Sequence, residues 1–388
     1  MIFPPPGLFA LGLLSPFLVL PSVSAQICSA PFPTMLEEDD NIAIQAVLEG
    51  SIPTKTTDAF RYNMDVMENF PDRLYFLDQL YGIIYEYAKD STITKVFDMA
   101  EDFVSGVDFG FNFASGFTGY KQYVHSMSPG VNDDEVYVVF SSKTPPTELN
   151  SIPLPSGSPT NYSIGGLDLR TFQRLPPLPP YHKVFVKFHV HATTRKLIEP
   201  VPFFAHEQQN TLVHPGGAIL TIPDDGRLLW STGDCLTFGM SGGEGAQDVN
   251  VHCGKLLLID PSAPDSYDVA AVGIRNSQQM TIVEEDLVVF MDIGGVTAEE
   301  VNAIPLEDLL DTSVPENFGW GIRAGENFAR EGTFKVEPGE PFFPRSPPCI
   351  SSQSPQDLGD ESDFIKPWLQ YNRENLEVSQ FGIVSFVV

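Results

Sequence analysis

Several short segments of this sequence carry residue types that can do chemistry. His214 stands before a Gly pair, in LVHPGGAIL, where a strand-prone run begins. An imidazole titrates near neutrality, so a histidine held there can take a proton from a hydroxyl. Arg275-Asn276-Ser277-Gln278 follows one repeat unit later. A guanidinium carries several N–H donors that match carbonyl and carboxylate oxygens. Gly294-Gly295 allows a close approach of the backbone. Glu299 and Glu300 are hard oxygen donors of the kind calcium takes. His189 and His191 form H-x-H on a predicted strand, with both rings on one face. No third ligand accompanies them, so they read as a packed or solvated strand face. Asp234 reads as a strand-end cap, and Trp320 as core packing.

The elements around these residues read as strands. Ala218 to Ile222 is a β-prone run, Pro223-Asp224-Asp225-Gly226 a turn, and Leu228 to Thr232 the returning strand. Gly254 to Ile259 gives a third strand, stopped by Asp260-Pro261. RLYFLDQLYGIIYEY (73–87) tempts a helical reading. Its aromatic and β-branched residues, with Pro71 just upstream, argue for two strands flanking Gly82. Residues 64–79, 218–234 and 280–294 share one plan: an apolar run, an acidic turn, a second apolar run, then Asp. Such repetition fits small sheets that bury each other's faces. Glu135 to Ser142 and Lys183 to His191 are further strands. Residues 144–182, rich in Pro and Ser, read as a surface insertion, and PPLPP (176–180) as a stiff connector. Residues 340–388 form a turn-rich tail, with one apolar strand from Gly382 to Val388.

The chain has 388 residues and a net charge of −29, from 51 acidic and 22 basic residues. Such a surface repels phosphate backbones and argues against nucleic acid as a partner. Residues 1–25 read as a signal peptide: an apolar run broken by Pro16 and Pro21, then Val23-Ser24-Ala25. The expectation is a secreted protein with no stable membrane insertion after cleavage. Residues 26–60 form a lead-in. Four cysteines suit an oxidising compartment and allow three pairings. Cys235 and Cys253 flank one loop between strands that should pair, so they are expected to bond; Cys28 with Cys349 follows by elimination. Asn161-Tyr162-Ser163 is a glycosylation acceptor triplet.

The ordered string of a His before a Gly pair, a PDDG hairpin, STGD (231–234), AQD (246–248), GKLLLIDP (254–261) and GIRNSQ (273–278) resembles the glucose/sorbosone dehydrogenase family. These are soluble quinoprotein β-propellers that use pyrroloquinoline quinone (PQQ). The resemblance continues through Gly294-Gly295, Glu299-Glu300-Val301-Asn302 and Phe318-Gly319-Trp320, and covers residues 64–331. It implies an all-β fold over 61–388: a six-bladed type of propeller with four-stranded blades, of which this chain falls roughly one blade short. It implies that His214 is the base on a sugar hydroxyl. Arg275, Asn276 and Gln278 would bind PQQ, and Gly294 and Gly295 the calcium that activates it. Glu299 and Glu300 would serve a second, structural calcium. The implied partners are a sugar substrate and an electron acceptor. Family members often place an Asp beside the catalytic His; here the neighbour is Val213. Hedgehog-interacting relatives of the same superfamily give the alternative reading, a non-catalytic extracellular binding module.

Overall fold

The structure is a computed structural model. It describes residues 62–328, short of 111–122, 154–166, 169–172, 175–179, 209–213, 235–245, 294–297 and several shorter segments, together with 365–367 and 369–372. The expected signal peptide, the lead-in, Asn161, Cys28, Cys235, Cys349, Gly294, Gly295 and the expected strand at 382–388 lie outside these residues.

The described residues are nearly all β. The first sheet runs β1 (Tyr62–Val66), β2 (Arg73–Asp78), β3 (Ile83–Ala88) and β4 (Ile93–Asp98), each antiparallel to the next. The two-strand reading of 73–87 is therefore right, and Gly82 turns the chain at φ +62°. β5 (Val124–Pro129) and β6 (Glu135–Ser142) begin the second sheet. A two-residue pair, β7 (Leu167–Asp168) and β8 (Gln173–Arg174), interrupts it within the Pro/Ser-rich stretch. β9 (Tyr181–Val190) and β10 (Leu197–Gln208) complete it.

The third sheet is β11 (Gly216–Thr221), β12 (Leu228–Thr232), β13 (Lys255–Ile259) and β14 (Tyr267–Val272). The fourth is β15 (Ser277–Val283), β16 (Leu287–Asp292) and β17 (Ala298–Pro305). A short helix, Leu306–Leu310, leads to β18 (Glu316–Asn317), which joins the third sheet parallel to β14. β19 (Arg323–Ala324) pairs β20 (Asn327–Phe328). β21 (Leu369–Asn372), a tail strand not anticipated from the sequence, adds to β17. The three repeat segments are the first hairpins of the first, third and fourth sheets.

Strand periodicity explains the core. Successive side chains point to opposite faces of a sheet. Val136, Val138 and Phe140 of β6 pack toward Tyr75, Leu77 and Phe97 of the first sheet. Tyr137 and Val139 of the same strand pack toward Ile219, Trp230 and Leu257 of the third. Leu229, Leu256 and Leu258 meet Val288, Phe290 and Ile304 of the fourth. A sheet covered on both sides needs apolar residues at every position, which is why EVYVVF and KLLLI read as unbroken apolar runs. The first strands of the sheets also meet. β1 packs on β5, β5 on β11, and β11 on β15. Ser126 and Ser128 of β5 accept the amides of Ile219 and Thr221 in β11. No helix of the described residues is long and apolar enough to cross a membrane.

Cys253 is buried and disulfide-bonded, with its partner outside the described residues. The Gly254 amide donates to the Gly233 carbonyl at 2.8 Å, which draws together the two chain ends that carry Cys235 and Cys253. Peptide mapping under non-reducing conditions is expected to recover a peptide linked through these two cysteines. Cys253 joined to any other cysteine would refute the pairing.

Candidate functional site

His214 lies at the mouth of β11, where three sheets meet. Its backbone takes φ +59°, a left-handed value unusual for a side-chain-bearing residue. Three contacts hold this turn. The His214 carbonyl lies so close to Gly233 that a Cβ there would overlap it. The Gly216 amide donates to Asn276 Oδ1 at 2.9 Å. Lys183 Nζ donates to the Pro215 carbonyl at 2.5 Å.

His214 Nδ1 lies 2.9 Å from Asp234 Oδ1, with both side chains nearly buried. A carboxylate only accepts, so Nδ1 carries the proton and the Nε2 lone pair is the basic position. Asp234 Oδ2 accepts the Trp320 indole N–H at 3.0 Å. The Asp234 amide donates to the Arg275 carbonyl at 2.8 Å. The Arg275 guanidinium lies 5.0 Å from the centre of the Trp320 ring, within cation–π reach, and Nη1 donates to the Ile293 carbonyl. His214, Asp234, Trp320 and Arg275 therefore form one connected cluster.

Asp234 is thus more than a strand cap, and Trp320 more than core. The acidic partner that is not at position 213 comes from across the hairpin. If the pairing of Leu220 with Leu229 ran on unbroken, Cys235 would face His214. A bulge between Gly216 and Ile219 takes up one residue of β11, and Asp234 falls into place instead. Gly216 and Gly217, at φ +58° and +120°, make the bulge possible.

A second layer supports the cluster. Asp292 accepts the amides of Arg275 and Asn276 at 2.7 and 2.6 Å. Burial, and then the neighbouring Glu300, push its carboxyl well above the usual range. Gln247 Nε2 donates to the Trp320 carbonyl at 2.9 Å and pairs with Asn317. Lys255 is buried, donates to the carbonyls of Ala246 and Cys253, and has its pKa lowered by burial to about 7.

The other predicted residues are placed as follows. Asn276 is buried and gives its side-chain oxygen to Gly216, so it braces the His214 turn. Gln278 is half-buried in β15. Glu300 is buried, with Asn302 Nδ2 3.4 Å from its Oε2. Glu299 lies in β17, but its side chain is outside the described residues. Among the described residues no three His, Cys, Asp or Glu converge as metal ligands. His189 pairs with Asp134 at 3.1 Å. His191 lies just beyond β9 and accepts the amides of Thr193 and Thr194.

No protein-family model matches the chain, and no curated protein matches it. Solved structures do. One is the PQQ-bound aldose sugar dehydrogenase from Streptomyces coelicolor, 17% identical with a TM-score of 0.46, over 81% of this chain and 68% of that one. Another is a glucose dehydrogenase, 14% identical with a TM-score of 0.47, over 81% of this chain and 72% of that one. A third is the apo-form soluble aldose sugar dehydrogenase from Escherichia coli, 13% identical with a TM-score of 0.40, over 70% of this chain and 65% of that one.

Proposed function

We propose that this chain is a secreted oxidoreductase of the glucose/sorbosone dehydrogenase type, oxidising a sugar hydroxyl with PQQ. The observation that carries the reading is the His214–Asp234 pair, joined through Trp320 to Arg275. Asp234 fixes the tautomer of His214 and stabilises the imidazolium that forms when Nε2 takes the hydroxyl proton. Arg275, pinned by Trp320 and the Ile293 carbonyl, presents a cation suited to the carboxylates and carbonyls of PQQ. When bound, PQQ supplies the hydride acceptor. The Gly294-Gly295 segment is the expected place for calcium, and no step here depends on it.

The sheets are read as propeller blades, because each presents its first strand to the first strand of the next. The signal-peptide reading of residues 1–25 supports a location outside the cell.

The direct test adds PQQ and calcium to the purified protein and follows quinone absorbance with a panel of aldoses. Reduction of the quinone by a sugar supports the reading. Failure to bind PQQ sinks it and favours an extracellular binding module. Arg275→Ala is expected to weaken PQQ binding by roughly 1.5–3 kcal/mol, the worth of a charge-assisted hydrogen bond. Equilibrium binding of PQQ would show it, while KM for the sugar should change little.

A further inference from the structure

Lys183 sits in β9 with none of its surface exposed. Burial disfavours the charged form of Lys183 and lowers its pKa to about 7. Its acceptor is the carbonyl of Pro215, the residue after His214. The ammonium also lies 5.9 Å from the centre of the Trp230 ring. Burial lowers the imidazole pKa values of His125 in β5 and His206 in β10; Lys183 adds to this at His125, and at His206 the neighbouring His252 adds more than Lys183 does.

The His214 turn is therefore held from three sides. Lys183 of the second sheet grips Pro215, Gly233 beside β12 closes on the His214 carbonyl, and Asn276 beside β15 takes the Gly216 amide. Gly233 acts by close packing and Asn276 through its side-chain oxygen, whereas Lys183 supplies an N–H donor that reaches the turn from another sheet. A left-handed histidine is a strained conformation that persists only when its surroundings over-determine it.

We propose that Lys183 is a positioning residue: by holding the Pro215 carbonyl it fixes the turn on which His214 faces Asp234. As a statement about rate this rests on the dehydrogenase reading; as a statement about geometry it does not. Lys183→Met removes the donor at nearly the same volume, and Lys183→Gln keeps a neutral donor. Proton NMR of the cofactor-free protein should show a downfield His214 Nδ1–H signal, assigned by its loss in His214→Ala. Lys183→Met is expected to abolish that signal and Lys183→Gln to restore much of it. In the PQQ-loaded enzyme, Lys183→Met should lower kcat by up to about 10²-fold with KM little changed, as a small misplacement of a reacting group does. An unchanged signal in Lys183→Met overturns the proposal. If the wild type shows no turnover, the dehydrogenase reading fails, and the NMR comparison still decides the role of Lys183. In the unaltered protein at about pH 5, below the value of about 7 to which burial lowers the Lys183 pKa, a slowly exchanging Lys183 ammonium signal is expected. Its absence there also overturns the proposal, so a variant that does not fold leaves a deciding measurement.

Discussion

Replacing His214 with alanine is expected to lower turnover of the PQQ-loaded protein by about 10²–10⁴-fold, the usual worth of a general base. In the proposed reaction the imidazole addresses the substrate, so PQQ affinity should hardly move. Asp234→Asn is the sharper variant. Its amide can present N–H to Nδ1, which favours the opposite tautomer and takes the lone pair away from Nε2. A loss in kcat approaching that of His214→Ala is expected, although the side chain keeps its shape. The His214 side chain is only about a tenth exposed and partners a buried carboxylate, so the alanine variant is expected to lose some stability as well, and its denaturant midpoint is measured beside its turnover. Turnover that survives both substitutions would mean that another group takes the proton.

Much of the strand plan could be read from the residues, since a buried sheet face imposes a period of two and acidic Gly-containing turns impose hairpins. Three first hairpins stood out as a repeat. The second sheet's did not, because β5, VHSMSP, carries polar residues at positions that are nevertheless buried. The cluster around His214 was visible only in part. The histidine and arginine lie in ordered motifs, but Asp234 becomes a partner through a one-residue bulge, and bulges leave no mark beyond a Gly pair. Lys183 and Lys187 show why depth is hidden. They lie on the same face of β9, yet Lys187 reaches solvent and pairs with Glu135 at 3.1 Å, while Lys183 is fully buried. Periodicity assigns a face; position along the strand relative to the next sheet decides burial.

Arg195 and Glu86 lie 109 residues apart and make a polar joint between the first two sheets. Glu86 is buried in β3 at 1% side-chain exposure. Arg195 Nη2 donates to Glu86 Oε2 at 2.7 Å and Nε to the same oxygen at 3.0 Å; Arg73 reaches Oε1 and the Tyr75 hydroxyl donates to Oε2. The Arg195 guanidinium also sits 4.5 Å from the Phe70 ring centre. Burial alone would raise the Glu86 pKa. The hydrogen bonds from Arg195 and Tyr75 and the charges of both arginines outweigh it, so the net shift is downward. Removing Arg195 leaves a buried carboxylate with Arg73 as its remaining cation, and breaking such pairs typically costs about 3–5 kcal/mol. Arg195→Ala is therefore expected to lower unfolding stability near neutral pH by an amount toward the lower end of that range. The residue has φ +60°, and alanine keeps that backbone strain, so the comparison isolates the side chain. The sign with pH follows from the lowered carboxyl. Its contribution is complete above the unfolded value of about 4.5 and is lost as pH falls through the folded one. Denaturant unfolding of wild type and Arg195→Ala should therefore differ most at neutral pH and converge in acid. A difference that stays constant down to about pH 3 would show that the loss is one of packing on Phe70 and not of the ion pair.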